Sequence, residues 1–398
     1  MQSSYDAIVV GAGPAGGQCA RELAKNGKKV LLVEKSKDFS VNNYSSGGAP
    51  AEMLGDYSLP RDVLGTMWNK IALFTSTQRH YWGDEKYAGV VFDFMKLRAF
   101  LAQEVTQQGS ELLLDHSYHH HEVDHGKTYV YLRNMHKQDI LKVEAAVIVD
   151  ATGAERKVLQ NGKFEKKEAV AATGVEYLVE VKSEDYQRYA KTLSFFLGLK
   201  WMPQGYAWIF PMEENRLKIG VVRYFAHDMV VPHELSYRHY IERMLKECLQ
   251  GDAKILDTHG KTMYYFEGQN EPRYEGNIVA IGDAISTLNP MASEGIRHAM
   301  YSGRMAARRI VDYLKGDNQS FFKYSKEMDK YFGFRWKTSE YLMNCMYRET
   351  KDEQLERYAQ SFKKLSFDEM LQFTFQYKLK TVAKFFWNYF ILDFGKKS

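Results

Sequence analysis

Three glycines, Gly11, Gly13 and Gly16, stand at the spacing G-x-G-x-x-G directly after an apolar run, Ala7 to Val10. That spacing serves anion binding. Gly11 makes the tight turn, Gly13 lets the backbone approach a pyrophosphate, and Gly16 lets helix pack on sheet, with the helix N-terminus facing the negative charge. Glu34 closes the next apolar run, Lys29 to Val33, where a carboxylate accepts hydrogen bonds from a ribose. Strand, helix, strand and acid in that order make the signal far more specific than the glycines alone. A second stretch adds to it. Gly282-Asp283-Ala284 follows a short buried strand, 277–281, and Asp283 can accept from a ribityl or ribose hydroxyl. Asn289-Pro290 and Glu294-Gly295-Ile296 then lead into a helix with small positions at Ala299, Gly303, Ala306 and Ala307. Its N-terminus can stabilise charge on the same cofactor.

Other groups offer weaker chemistry. Tyr206, Trp208 and Phe210 alternate along Pro203 to Pro211, so a strand there carries three rings on one face and Ala207 and Ile209 on the other. The rings either fill a sheet core or wall a site for an apolar or planar ligand. Residues 42–50, with Ser46, Gly47, Gly48 and Ala49, read as a loop whose paired glycines pass close to something flat or simply turn at the surface. His116, His119, His120, His121 and His125 cluster, but alternation along a strand sends neighbours to opposite faces. A solvated strand and turn is expected rather than a metal site.

The elements that must position these groups follow in order. Asp93 caps a helix through Leu97 and Val105, with Arg98 in its opening turns. Strands are expected at Ile71 to Phe74, Val90 to Phe92, Glu111 to Leu114, Thr128 to Arg133 and Val143 to Val149. The last of these runs into Asp150-Ala151-Thr152-Gly153. Residues 155–169 read as a solvated connection. Strands at Val175 to Val181, Leu193 to Leu199, Leu217 to Val222 and Thr258 to Phe266 build a second sheet, with a helix over Val231 to Leu249. The expected class is α/β. A Rossmann-like domain of discontinuous segments, 1–170 and 270–315 with small insertions at 56–90, is joined to an antiparallel-sheet substrate domain, 171–269. A helical, aromatic-rich region, 316–398, completes the chain. In it Phe375, Leu379, Val382, Phe386 and Tyr389 form one helical stripe, with Lys380, Lys384 and Asn388 off it. Residues 361–398 hold 7 Lys against 3 acidic residues, so this end is either a lid packed on the body or a peripheral membrane contact.

Bulk composition narrows the classes. With 398 residues and 45% hydrophobic content the chain can bury a large core. A net charge of +4 without a basic run implies no nucleic-acid partner. Cys19, Cys248 and Cys345 stand singly, with neither metal nor disulfide spacing, which points to a reducing compartment. No basic leader and no apolar run of about 18 residues is present, so a cytoplasmic location, peripheral to the membrane if attached to it, is expected. The 14% aromatic content demands a core or an apolar ligand for its rings.

Taken together, Gly11, Gly13 and Gly16 with Glu34, Asp150 to Gly153, and Gly282-Asp283 resemble the flavoprotein fold of aromatic hydroxylases and geranylgeranyl reductases. The reductase group is the nearer resemblance. It rests on Ser46-Gly47-Gly48-Ala49, on Pro203 through Tyr206, Trp208, Phe210 and Pro211, and on Asn289-Pro290 with Glu294-Gly295-Ile296. The resemblance implies FAD as cofactor, held by Gly11, Gly13, Pro14, Ala15, Gly16, Glu34, Lys35, Gly47, Gly48, Ala49, Arg98, Gly153, Gly282, Asp283, Pro290, Gly295 and Ile296. It implies a polyprenyl substrate against Tyr206, Trp208 and Phe210, and NADPH or a ferredoxin-like donor as electron source. Two departures matter. The family commonly has a cysteine where this chain has Ser46, a far poorer acid at neutral pH. Aromatic hydroxylases usually carry a histidine after Gly-Asp-Ala, where this chain has Ile285.

The expected reaction is reduction of a carbon–carbon double bond, with hydride from the flavin and a proton from the protein. Ser46, Tyr206 and Glu294 are the candidate proton sources. The alternatives are a monooxygenase or halogenase of an aromatic substrate, a polyprenoid cyclase or isomerase with no net redox change, and a flavin-binding protein without catalysis.

Overall fold

The structure is a computed structural model that describes residues 3–41, 43–161, 169–225, 235–348 and 351–394. The first apolar run forms the centre of an eight-stranded sheet. Strand Ser4–Val10 pairs in parallel with Val30–Val33 on one side and Ile140–Asp150 on the other, in the order Tyr274–Glu275, Ile278–Ala280, Ile140–Asp150, Ser4–Val10, Val30–Val33, Glu111–Leu113. Lys127–Asn134 and His116–Asp124 extend it as an antiparallel pair beside Ile140–Asp150. Ala7, Ile8, Val9 and Val30 to Leu32 are fully buried, as parallel strands covered on both faces require.

Helix Pro14–Lys25 leaves the first strand and packs against helix Ile296–Leu314. A side chain at Gly303 would strike the Ala15 carbonyl, so the small residue sets how near the two helices come. Helix Phe94–Gln107 lies on the other side, capped by Asp93, whose side chain accepts from the Lys96 N–H at 3.1 Å.

A seven-stranded sheet stands over this unit, in the order Lys254–Tyr265, Val170–Glu180, Arg216–Phe225, Gly205–Pro211, Thr192–Phe196, Lys70–Phe74, Arg79–Gly83. Two corrections belong here. Lys70–Phe74 and Arg79–Gly83 lie within 56–90, yet they continue this second sheet instead of forming an insertion in the first unit. The sheet is also not wholly antiparallel, because Thr192–Phe196 runs parallel to Lys70–Phe74. Ala207 and Ile209 face helix Tyr237–Cys248, while Tyr206 and Trp208 face the opposite way, the alternation expected of the strand. That helix starts at its cap, Ser236, later than expected, and 231–234 lie outside the described residues.

Residues 42–50 are not all loop. Gly48–Pro50 is a strand of a third, three-stranded sheet with Gly89–Phe92 and Leu64–Trp68. Asn42 and 162–168, within two of the expected loops, lie outside the described residues.

The C-terminal region is helical: Ser320–Tyr347, Asp352–Lys363, Phe367–Leu371 and Leu379–Phe394. The expected stripe is corrected. Phe375 sits in a π-helical turn, Gln372–Gln376, closed by Tyr377 at φ 52°, so it does not share a helix face with the residues that follow. Leu379 is exposed. The buried face is Val382 and Phe385 with partly buried Phe386 and Tyr389, and Asn388 is buried instead of falling outside. Among the described residues no helix is long and apolar enough to cross a membrane.

Candidate functional site

A cleft of about 500 Å³ runs between the first sheet and the second. One end is built by the glycine turn. Gly11 takes φ +108°, and a side chain there would strike the Ala151 carbonyl, so glycine is required. A side chain at Gly13 would meet nothing, leaving the backbone open to a ligand. Helix Pro14–Lys25 has no side-chain cap, and neither has helix Ile296–Leu314. Both N-termini open onto this cleft at Gly13 to Ala15 and Gly295 to Ile296. Two uncapped helix ends with unsatisfied N–H groups fit a ligand with a pyrophosphate and a further electron-rich group.

The acids of this end divide by role. Glu34 accepts from the Ala12 N–H at 3.0 Å and the Ser36 N–H at 3.1 Å, and lies 3.5 Å from Arg98. Arg98 in turn donates to the Ala12 and Val41 carbonyls at 3.3 and 3.1 Å. The pair braces the glycine turn while still lining the cleft. Asp283 lines it too. Burial raises its carboxyl, which Thr287 holds at 3.0 Å. Lys35 reaches the rim, paired with Glu155.

The opposite wall is the second sheet. Tyr206, Trp208 and Val222 line it with Gly174, Glu176 and His259. The Trp208 indole N–H donates to a Glu176 oxygen at 2.9 Å. The Tyr206 hydroxyl donates to the Ala292 carbonyl at 3.1 Å. A smaller, apolar cavity of about 70 Å³ lies behind Tyr206, among Leu73, Phe195, Met291, Met370 and Phe373. Tyr206 is the partition between the two spaces. The glycine-turn end of the cleft, the Tyr206 partition and the apolar space behind it adjoin one another.

The family model for lycopene cyclase protein matches residues 6–389. The chain belongs to the lycopene cyclase protein family. Relatives include the digeranylgeranylglycerophospholipid reductases of Haloferax volcanii, 28% identical over 77% of this chain and 76% of that protein, and of Methanosphaerula palustris, 23% identical over 93% and 92%. A geranylgeranyl bacteriochlorophyll reductase-like protein of Thermoplasma acidophilum has the same fold, with a TM-score of 0.81 at 18% identity over 96% of both chains. The flavin-dependent brominase Bmp2 shares it at 0.71 and 18% identity, over 99% of this chain and 100% of that one.

Of the family's expected site residues, the cleft is lined by Gly11, Gly13, Pro14, Ala15, Glu34, Lys35, Ser46, Arg98, Gly153, Tyr206, Trp208, Gly282, Asp283, Gly295 and Ile296. Others stand back from it. Gly16 packs on the Gly11 carbonyl, Gly48 lies against the Phe210 ring, and Ala49 is buried in its strand. Gly47, at φ +74°, sets the turn that presents Ser46. Phe210 shares the face of Tyr206 and Trp208 but lies further along the strand, edge-on to Phe195 at 5.3 Å and against Gly48, so it does not line the cleft. Pro290 follows Asn289, whose side-chain oxygen accepts from Met291, Ala292, Ser339 and Tyr377. That hub fixes the 289–295 loop to the C-terminal helices.

The expected proton sources fare differently. Glu294 does not line the cleft, and both its oxygens accept from Arg297 at 2.6 and 2.7 Å. Burial pushes its carboxyl up, but Arg297 and His298 outweigh burial and bring it to about 2, so it stays a carboxylate and is a poor acid. Burial pushes the Tyr206 hydroxyl up to about 12, and its proton is already donated to Ala292. Ser46 remains at the cleft. Among the described residues no group of three or more metal-ligating side chains is assembled, and His116 contributes to the cleft wall instead. Glu176 and His259 are the residues that the sequence reading missed. A lone acid in an alternating strand was the only local signal.

Proposed function

We propose that this protein is an FAD-dependent reductase of carbon–carbon double bonds in a polyprenyl substrate of geranylgeranyl type. The observation that carries the reading is the apolar space behind Tyr206, adjoining a cleft whose glycine turn and helix ends fit FAD. The likeness to digeranylgeranylglycerophospholipid reductases supports the same substrate class. Gly11, Gly13 and the two helix N-termini would hold the pyrophosphate and the flavin, with Glu34 and Asp283 at hydroxyl groups. Reduced FAD supplies hydride. Tyr206 and Trp208 orient the chain of the substrate and exclude water, so that hydride meets the alkene and not solvent. NADPH or a ferredoxin-like protein would supply the electrons. Anaerobic bleaching of the flavin by each donor separates them.

The name of the family model favours a second reading, proton-driven cyclisation of a polyene without net redox change. Product mass distinguishes the two. Reduction adds two hydrogens per double bond, and cyclisation leaves the mass unchanged.

Peripheral attachment to the cytoplasmic face of a membrane goes with a lipid substrate. The support is a row of exposed apolar side chains on helix Leu379–Phe394: Leu379, Trp387, Phe390 and Ile391.

A further inference from the structure

One short loop lines both cavities. Leu288, Ser293, Gly295 and Ile296 line the cleft, whereas Met291 and Ala292 line the apolar space behind Tyr206. The loop closes on itself. The Ser293 N–H donates to the Asn289 carbonyl and the Asn289 N–H to the Glu294 carbonyl, each at 3.0 Å. Ser293 takes φ 52°, in the left-handed region that a side chain disfavours. Four tyrosines hold this turn from outside. Tyr206 donates to the Ala292 carbonyl at 3.1 Å, Tyr347 to the Met291 carbonyl at 2.8 Å, and Tyr377 to the Asn289 side-chain oxygen at 2.6 Å. The Tyr224 and Ser293 hydroxyls share a hydrogen bond at 2.6 Å. Burial pushes the Tyr224 and Tyr347 hydroxyls well above their ordinary range, so both stay neutral near pH 7. The Tyr347 ring stacks on Tyr224 at 4.9 Å, lies 5.7 Å from the Tyr206 ring, and itself lines the apolar space. A chain entering that space therefore packs on Met291, Ala292 and Tyr347, at the contacts that fix the turn. The other end of the turn is Gly295, where the uncapped helix N-terminus opens onto the cleft.

We propose that the 288–296 loop couples occupation of the apolar space to the redox state of the flavin, with Tyr347 as the positioning residue. The inference rests on the double-bond reductase reading, which puts a polyprenyl chain behind Tyr206 and FAD in the cleft. Met291 and Ala292 take the contact of the chain. The bonds from Tyr347 and Tyr206 to their carbonyls tie that contact to Ser293 and Gly295. The N–H groups at Gly295 and Ile296 are the positive end of their helix, and a reduced flavin, richer in electrons, is the form they favour. A chain packed on the turn holds those N–H groups in place. The enzyme therefore binds the chain more tightly with the flavin reduced than with it oxidised. By linkage, a bound chain favours the reduced flavin by the same factor. Flavin reduction is thus favoured when a substrate is in place.

The test uses the FAD-loaded enzyme and phytanol, a saturated isoprenoid alcohol with no double bond to reduce. Titration calorimetry measures its affinity with the flavin oxidised and, anaerobically, with the flavin chemically reduced. The wild type is expected to bind phytanol at least about 5-fold more tightly in the reduced state. The flavin midpoint potential, read by equilibration with a redox dye, is expected to rise on adding phytanol by the amount that ratio requires. Tyr347→Phe keeps the ring in the cavity wall and removes the bond to Met291. Its affinity in the oxidised state is expected to stay within about 10-fold of wild type, the scale of one hydrogen bond. Its ratio between the two states is expected to fall below about 2-fold. Tyr224→Phe, which removes the bond to Ser293, is expected to lower the ratio as well and serves where Tyr347→Phe folds poorly. A purely structural role for these hydroxyls would lower the melting temperature and leave the ratio unchanged. Equal or tighter binding to the oxidised wild type overturns the coupling and leaves the reductase reading untouched. A ratio kept in both variants overturns the role given to the loop and to Tyr347. If phytanol binds in neither state, no chain enters the space behind Tyr206, and the coupling and the reductase reading fall together.

Discussion

Single residues carry the cofactor end and the partition. Gly11 combines φ +108° with a carbonyl where a side chain would go, so Gly11→Ala is strained on both counts. It is expected to purify with little FAD and to bind added FAD at least about 10-fold more weakly, a loss of about 1.4 kcal/mol or more. Fluorescence titration of the apoprotein measures it. Tyr206→Phe removes a hydroxyl whose proton is given to Ala292 and keeps the ring that divides the two cavities. Its reduction rate is expected to fall by less than about 10-fold, the scale of one hydrogen bond. A loss of about 100-fold or more would make Tyr206 the acid. Gly11, Asp283, Tyr206 and Trp208 were legible in the sequence because a short spacing defines each. Glu176 and His259 were not, since 83 positions separate them and only the strand register sets them side by side. Glu294 misled for a related reason. Its neighbour Arg297 is plain in the sequence, but that both are buried against each other is not.

At the scale of elements, the first turn of helix Ile296–Leu314 holds a buried cluster with a pH signature. Burial, with Arg297 beside it, lowers the His298 imidazole from 6.5 to about 4, and Glu294 is brought to about 2. In each case the unfolded chain binds the proton at higher pH than the folded one does. Stability contributed by the neutral imidazole is therefore present above about 6.5 and lost as pH falls through 4. That from the Glu294 carboxylate is present above 4.5 and lost toward 2. The melting temperature is expected to fall steadily from pH 7 to 4. In His298→Gln the slope should be shallower in that window, as differential scanning calorimetry can measure. A wild-type melting temperature that rises on acidification contradicts the assignment. The elements themselves were largely readable from apolar runs and caps. Gly48–Pro50 was missed because a glycine-rich, three-residue edge has no periodicity to read, and its strand character comes from pairing with Gly89–Phe92. The C-terminal stripe was misread because the π-helical turn before Tyr377 shifts the helix phase, which a regular spacing cannot foresee.

Over the whole molecule, two sheets clasp a cleft, and the C-terminal helices close its apolar end through the Asn289 hub, with Tyr377 reaching its oxygen at 2.6 Å. The same helices leave Trp387, 67% exposed, with Phe390 and Ile391 on the outside. Replacing these three by serine is expected to reduce co-sedimentation with vesicles containing anionic lipid by about 10-fold or more, while the melting temperature changes little. Binding that survives the replacement assigns membrane contact elsewhere. The overall α/β plan was legible because the first sheet announces itself in glycine spacings. The joining of Lys70–Phe74 to the second sheet was not, since a parallel partner 122 positions later leaves no local trace. The most direct test of the account is mass spectrometry of geranylgeranyl diphosphate after anaerobic incubation with the FAD-loaded, chemically reduced enzyme. Reduction predicts products heavier by about 2 mass units for each double bond, from two added hydrogens. Substrate recovered at its original mass, with the flavin bound and fully reduced, contradicts it.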